Sequence, residues 1–318
     1  MENFFLHIKD VMFRLNLDNE MASQMLKRAP SLSNKKQLDY NIDIICSKVN
    51  EINFSDDKFL HQQEPDINEE FYYREIFDLG VFKYDRKEKI LHVKYLNIDE
   101  YPFNSFEVVV DTILQFIYLI MLEFEIVPLH AAVLAHGKQA VLLFGNSGSG
   151  KTTLELSLLN SDFLFFSDDI AFLDGENYIY NSSESIVACS KKTEEILNKN
   201  FNVTFLDAEK ENSANKKIIN IDNAMISKHT QLVPSVIIFP TPGTLDANEK
   251  SLVKIQAKSS FVKLIEMTIS TQFSSAQKQL YLKRLKQLSE HVHAFQYFWN
   301  SQKNDLKEVC CSIKELCD

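Results

Sequence analysis

The stretch "LLFGNSGSGKTTLELSLL", residues Leu142–Leu159, restricts this chain more than any other. Gly145, Asn146, Ser147, Gly148, Ser149, Gly150, Lys151 and Thr152 fit the pattern G-x-x-x-x-G-K-[ST], with Thr153 next in the first helical turn. Each position has a physical reason. Glycines permit positive φ and let backbone N–H groups approach phosphate oxygens closely. A helix that begins at the lysine aims its positive dipole end at the anion. Lys151 then reaches the β- and γ-phosphates, and the Thr152 hydroxyl holds Mg²⁺. The context is the required one, an apolar run "AVLLF" before the loop and an apolar helix after it. Glycine usage strengthens the reading. The chain has seven glycines in 318 residues, and three fall between 145 and 150. A typical share is about 7%, so glycine is clustered where the backbone needs it.

The next feature is "FLFFSDD", ending in Asp168 and Asp169. A helix of about ten residues followed by a short strand over 163–167 brings the chain back to the edge of the sheet that carries the loop. Two adjacent carboxylates repel unless a cation or a shared proton relieves them. With the phosphate loop beside them, one can orient Mg²⁺ and the other can take the proton of an attacking hydroxyl. Upstream, "PLHAAVL" puts His130 on the strand before the loop strand. A lone histidine there is by itself more often a hydrogen-bonded core residue than a site residue.

Other nucleotide-binding classes lack their marks. No later apolar strand ends in Asp-Glu, since "SVIIF" runs into Pro240. There is no LSGGQ-like stretch and no NKxD guanine signature. The net charge of −10 argues against general attraction to nucleic acid or an anionic membrane. The most apolar segment, residues 106–127, carries Glu107, Asp111, Glu123 and Glu125, so it reads as a buried helix rather than a membrane span. The opening residues Met1–Leu17 contain Glu2, Lys9, Asp10 and Arg14 and do not read as a signal peptide. Five cysteines without a CxxC spacing, Cys46, Cys189, Cys310, Cys311 and Cys317, read as reduced thiols of a cytoplasmic protein.

Two domains are expected, residues 1–126 and 127–318. In the first, an α+β unit, "VMFRLNL", "LDYNIDIICSKV" and "FYYREIF" read as strands. "DNEMASQMLKRA" reads as a short helix capped by Asp18, and "DDKFLHQQEPDINEE" as a loop. "VFKYDRKEKILHVKYL" reads as a hairpin turning near Asp85–Glu88. A linking helix covers 103–126. In the second domain "VPLHAAVLAHGKQAVLLFG" predicts two strands joined at His136-Gly137. Then come the loop helix over 151–160, the aspartates, a turn at Asp174-Gly175, extended "YIYNSSESIVACS", helical "KKTEEILNKN", and strands in "KKIINI" and "LVPSVIIFP". From about Ser259 the pattern is helical, including all of "AQKQLYLKRLKQLSEHVHAFQYFW".

Taken in order, "LHAAVLAHGKQAVLLFGNSGSGKTTL" and "FFSDD" resemble the catalytic domain of HPr kinase/phosphorylase and the wider HPr-kinase-like group. That family shows a histidine on the strand before the loop, a G-x-S-G-x-G-K-[ST] loop and an Asp-Asp pair on the next strand. His130, Gly145, Ser147, Gly148, Gly150, Lys151, Thr152, Asp168 and Asp169 match those positions, and the close match covers about residues 128–172. The resemblance implies an α/β kinase domain built on a strongly twisted mixed sheet related to phosphoenolpyruvate carboxykinase. It implies ATP and Mg²⁺ as cofactors, an aspartate of the pair as base, and His130 as a site residue. Family members often assemble, so a homo-oligomer is an expectation. The Gly- and Arg-rich signature loop of HPr kinase/phosphorylases is missing: only Gly175 and Gly243 follow Gly150. Phosphorylase activity and HPr as substrate are therefore not expected. Related kinases of peptide-tailoring pathways, including those that phosphorylate lasso peptides, also lack it and often carry a basic pair before a strand. In "NKKIINI", Lys216 or Lys217 would neutralise charge on the transferring phosphoryl group.

The leading expectation is an ATP- and Mg²⁺-dependent kinase acting on a serine-type hydroxyl of a peptide or protein. Two alternatives stand beside it. One keeps the chemistry with a small-molecule hydroxyl as acceptor. The other is a nucleotide-binding sensor without turnover, which would have no need of an aspartate base.

Overall fold

The computed structural model describes residues 2–17, 21–22, 42–49, 66–67, 71–76, 79–96, 105–181, 186–200, 217–243, 251–267, 273–299 and 306–318. Its contacts divide the chain into two units, Met1–Ile126 with Ser270–Leu280, and Val127–Ile269 with Tyr281–Asp318. The expected helix after Asp18 lies outside the described residues apart from Met21 and Ala22, as does most of the loop expected over 56–70.

The first unit carries one mixed sheet. Its strands are β1 (Glu2–Ile8), β2 (Val11–Leu17), β3 (Ile42–Val49), β4 (Asp66–Ile67), β5 (Phe71–Ile76), β6 (Gly80–Asp85) and β7 (Ile90–Leu96). They lie in the order β1-β2-β3-β7-β6-β5-β4. The expected β6–β7 hairpin forms because Asp85 closes the turn, its Oδ1 accepting the N–H groups of Lys87 at 3.0 Å and Glu88 at 2.9 Å. β1 was not foreseen. Phe4, Phe5 and Leu6 are all buried, so the period-two alternation that marks a half-exposed strand is absent. The described linking helix, Ser105–Met121, ends earlier than expected, in a 3₁₀ turn over Leu122–Phe124. It buries Val109, Ile113, Phe116 and Ile120 at helical spacing. The rings of Phe82 and Phe116 stack at 5.9 Å.

The second unit begins with β8 (Val127–His130), β9 (Ala132–His136) and β10 (Gln139–Leu143). The first of the two expected strands is therefore broken. Ala131 donates its N–H to the Leu129 carbonyl at 3.1 Å, a three-residue turn that ends β8. The chain continues through the helix Lys151–Leu159, β11 (Leu164–Ser167), β12 (Ile170–Leu173), β13 (Ile179–Asn181), β14 (Ile186–Cys189) and the helix Lys191–Asn200. β15 (Lys217–Asn220), β16 (Val233–Pro242) and β17 (Leu252–Ile255) follow, with the helices Ala257–Glu266 and Ser275–His291 after them. The segment predicted as one helix through Trp299 instead leaves the helix at His291 and forms β18, His293–Trp299. β18 lies between β16, parallel, and β17, antiparallel, where its aromatic residues fill the core. A last helix, Leu306–Cys317, buries Leu306, Val309, Cys310, Ile313 and Cys317 along one face.

The main sheet is mixed, in the order β11-β9-β10-β16-β18-β17. A separate three-stranded sheet has the order β13-β12-β8, and β14 pairs with β15. β11 and β10 are each antiparallel to β9. They therefore run the same way, and the loop after β10 and the aspartates after β11 emerge at one edge. The described part of the molecule is thus mixed α/β. No described helix is long and apolar enough to cross a membrane.

Candidate functional site

The helix after the loop is buried on nearly every side, from Lys151 to Leu159. Its first turn leaves N–H groups without intrahelical acceptors. Gly148 and Gly150 hold φ of +81° and +99°, values that a side chain disfavours. A Cβ on Gly150 would collide with the indole of Trp299, and one on Gly145 with the Ser149 hydroxyl. Ser149 donates its N–H to Asn146 at 3.0 Å, and its carbonyl accepts the Trp299 Nε1–H. The loop is thus pinned from inside by Ser149 and from outside by the only tryptophan of the chain.

The aspartates occupy the corner between β11 and β12. Ile170 donates its N–H to the Asp168 carbonyl at 2.7 Å, and the Ser167 hydroxyl bonds the Ile170 carbonyl. Asp169 takes φ +59°, a left-handed conformation uncommon outside glycine but accessible to Asp. Its N–H bonds Asp168 Oδ1 at 2.8 Å. This tight corner turns the two side chains toward the loop lysine. Lys151 Nζ is 2.6 Å from Asp169 Oδ1 and 3.7 Å from Asp168 Oδ1. β8 pairs with β12 so that His130 faces Ile170, and its Nε2 comes to 3.8 Å from Asp169 Oδ1. The Tyr281 hydroxyl donates to the Pro128 carbonyl and anchors β8.

The electrostatics follow from one buried ammonium meeting several carboxyls. Burial alone would lower the Lys151 pKa, but Asp168 and Asp169 outweigh it and hold the ammonium charged. Asp169 is held well below the usual carboxylate range by His130 and Lys151. Asp168 is pushed up to about 6, first by burial and then by the charge of Asp169, against the pull of Lys151. Glu155, one helical turn beyond Lys151, is fully buried, and neither of its oxygens has a hydrogen-bond partner. Burial, followed by the nearby Asp168, raises its pKa well above the ordinary value.

Lys151, Asp168, Asp169 and His130 line one cavity of about 490 Å³. His130, Gly145, Asn146, Ser147, Gly148, Gly150, Lys151, Thr152, Thr153, Asp168 and Asp169, all expected from sequence, meet there. Ser149 supports the loop from behind instead, its hydroxyl buried without a partner. Lys217 is not brought to the cavity: its ammonium bonds both oxygens of Glu194, at 2.7 and 2.8 Å. Charge neutralisation at the phosphates is therefore not its observed role. Lys216 lies outside the described residues. The sequence reading missed Ala188, Ser190, Lys192, Thr193, Ile196 and Trp299, which complete the lining. The available signal was the lone tryptophan, hidden in a segment read as helix.

The donor set fits a magnesium ion that shares its coordination with a substrate. Among the described residues no cluster of three or more His, Cys, Asp or Glu could hold a metal by itself. Mg²⁺ is usually held by one or two carboxylates, waters and substrate phosphates rather than by an all-protein cage. The Thr152 hydroxyl and the aspartate corner supply that kind of partial shell.

The chain is similar to the Hpr(Ser) kinase/phosphatase from Coxiella burnetii, at 15% sequence identity and a TM-score of 0.31, over 59% of this chain and 88% of that one. No family model matches the chain, and no curated protein matches it. The functional reading accordingly rests on the site itself.

Proposed function

We propose that this protein is an ATP- and Mg²⁺-dependent phosphotransferase of the HPr-kinase-like type, acting on a serine-type hydroxyl of a peptide or protein. The observation that carries the reading is the convergence of Lys151, Asp168 and Asp169 at the mouth of a glycine-shaped loop in one cavity. A nucleotide sensor needs the loop and the lysine, but not a carboxylate pair turned onto them.

In this reading the loop N–H groups and Lys151 bind the β- and γ-phosphates. Thr152 and one aspartate would hold Mg²⁺, and the ion would supply charge neutralisation at the phosphate oxygens. The other aspartate accepts the hydroxyl proton as the acceptor oxygen bonds to the γ-phosphorus. The bond from that phosphorus to the bridging oxygen breaks, and ADP leaves. Asp168 and Asp169 share Lys151, so they act as a coupled pair. His130 orients Asp169. Because there is little covalent work for the protein, positioning and fixed charge supply most of the rate.

The test is transfer from γ-labelled ATP into host peptide, protein and small-molecule fractions, with Lys151→Ala and Asp168→Asn/Asp169→Asn alongside. Label in a peptide or protein fraction is expected, with each variant reduced by about a hundredfold or more. Label confined to small molecules would replace the acceptor class. Nucleotide binding without any transfer would replace the enzyme with a sensor.

A further inference from the structure

The cavity has a second wall that the γ-phosphoryl transfer described above does not use. Ala188 and Ser190 lead into the helix Lys191–Asn200, whose start is fixed by Ser190. The Ser190 hydroxyl accepts the Thr193 N–H at 3.2 Å, an N-cap. Lys192 and Ile196 are one turn apart on this helix and therefore share a face. Both line the cavity together with Trp299. The Lys192 ammonium stands 5.9 Å from the centre of the indole ring.

The direction of a bound triphosphate decides what this wall meets. In a phosphate loop the lysine serves the β- and γ-groups, while loop and helix amides serve the α- and β-groups. The γ end is therefore the end of Lys151, Asp168, Asp169 and His130. The α end then lies along the loop and helix amides beyond Lys151, and on that helix Thr153 is bonded to Thr193 at 3.2 Å. The new wall thus joins the loop helix on the side where the phosphates end and a nucleoside would begin.

We propose that Trp299, Ile196 and Lys192 form the nucleobase subsite, with the indole as the stacking platform, Ile196 as its apolar flank and Lys192 beside the α-phosphate. Aromatic stacking suits a base, because every base presents a π face. This assignment rests on the phosphotransferase reading given above, but it can fail separately from it.

The experiment is calorimetric titration of wild type, Trp299→Ala and Ile196→Asp with ATP and with inorganic tripolyphosphate, both with Mg²⁺. Tripolyphosphate reports the loop alone. ATP affinity should fall about tenfold or more in both variants, while tripolyphosphate affinity changes less than about twofold. Ile196 is partly buried and takes no part in the Trp299–Ser149 bond, so its variant keeps the test valid if loss of that bond unfolds the loop. Equal weakening of both ligands in both variants would overturn the proposal, since the wall would then only prop the loop. Unchanged ATP affinity would overturn it by placing the base elsewhere. If wild type binds neither ligand, the phosphotransferase reading falls as well; if it binds both and only the variants behave unexpectedly, that reading stands and the subsite alone is lost.

Discussion

Glu155 shows how far the site extends below its visible surface. It is a wholly buried carboxyl whose pKa is raised first by burial and then by the charge of Asp168. Its raised pKa has a definite sign in stability. Above the ordinary carboxylate value the unfolded chain has lost this proton and the folded chain has kept it, so unfolding releases a proton and stability falls as pH rises. One group of this kind contributes a slope of about 1.4 kcal/mol per pH unit until its folded pKa is reached. Glu155→Gln removes the slope. Urea unfolding should show the variant gaining on wild type as pH rises above the ordinary carboxylate value, by up to about 1.4 kcal/mol per pH unit. A stability difference that does not change with pH would mean that Glu155 is ionised in the fold. At this scale the sequence was most informative where backbone demands fix residue types, as in Gly148, Gly150 and Lys151. It was silent where partners come from afar. Lys217 meets Glu194 across 23 residues, and Ser149 meets Trp299 across 150, and no local pattern announces either.

Among the elements, β18 is the instructive correction. "VHAFQYFW" follows directly on a well-formed helix, and its apolar residues fit a helical wheel and a strand about equally well. Tertiary pairing decides: β16 offers a parallel edge, and Ala294, Phe295 and Tyr297 are buried against the main sheet. If β18 is a core strand, Phe295→Ala should cost about 3–5 kcal/mol in denaturant unfolding, the usual range for a large aromatic lost from a core. A cost below about 1 kcal/mol would put Phe295 on the surface. β1 and the break at Ala131 were illegible for a related reason. Strands buried on both faces lose their alternation, and the three-residue turn Leu129–Ala131 between β8 and β9 carries no glycine or proline to mark it. The loop strand, its helix and β11 were legible because the motif, the apolar runs and the helix length agree with one another.

For the whole molecule, thiol chemistry gives a simple check on burial across both units. None of the five cysteines is in a disulfide; Cys46, Cys189, Cys310 and Cys317 are buried, and Cys311 is exposed. Burial pushes Cys310 up to about 12 and raises Cys317, which withholds the reactive thiolate. A small alkylating reagent at pH 8 should modify one cysteine quickly in the native protein, Cys311 by mass mapping, and the other four only after unfolding. Rapid loss of a second thiol would contradict the packing of the last helix or of β3.

The break at Ala131 reaches further than the strand count. β8 leaves the main sheet and pairs with β12, while β10 and β11 stay in it. The loop lysine is thus carried by one layer, His130 by another, and the aspartates by the seam that joins them. Their spacing is a gauge of how those layers are seated. A substitution buried beneath the β8–β12 pair can detune the chemistry without touching any group that performs it.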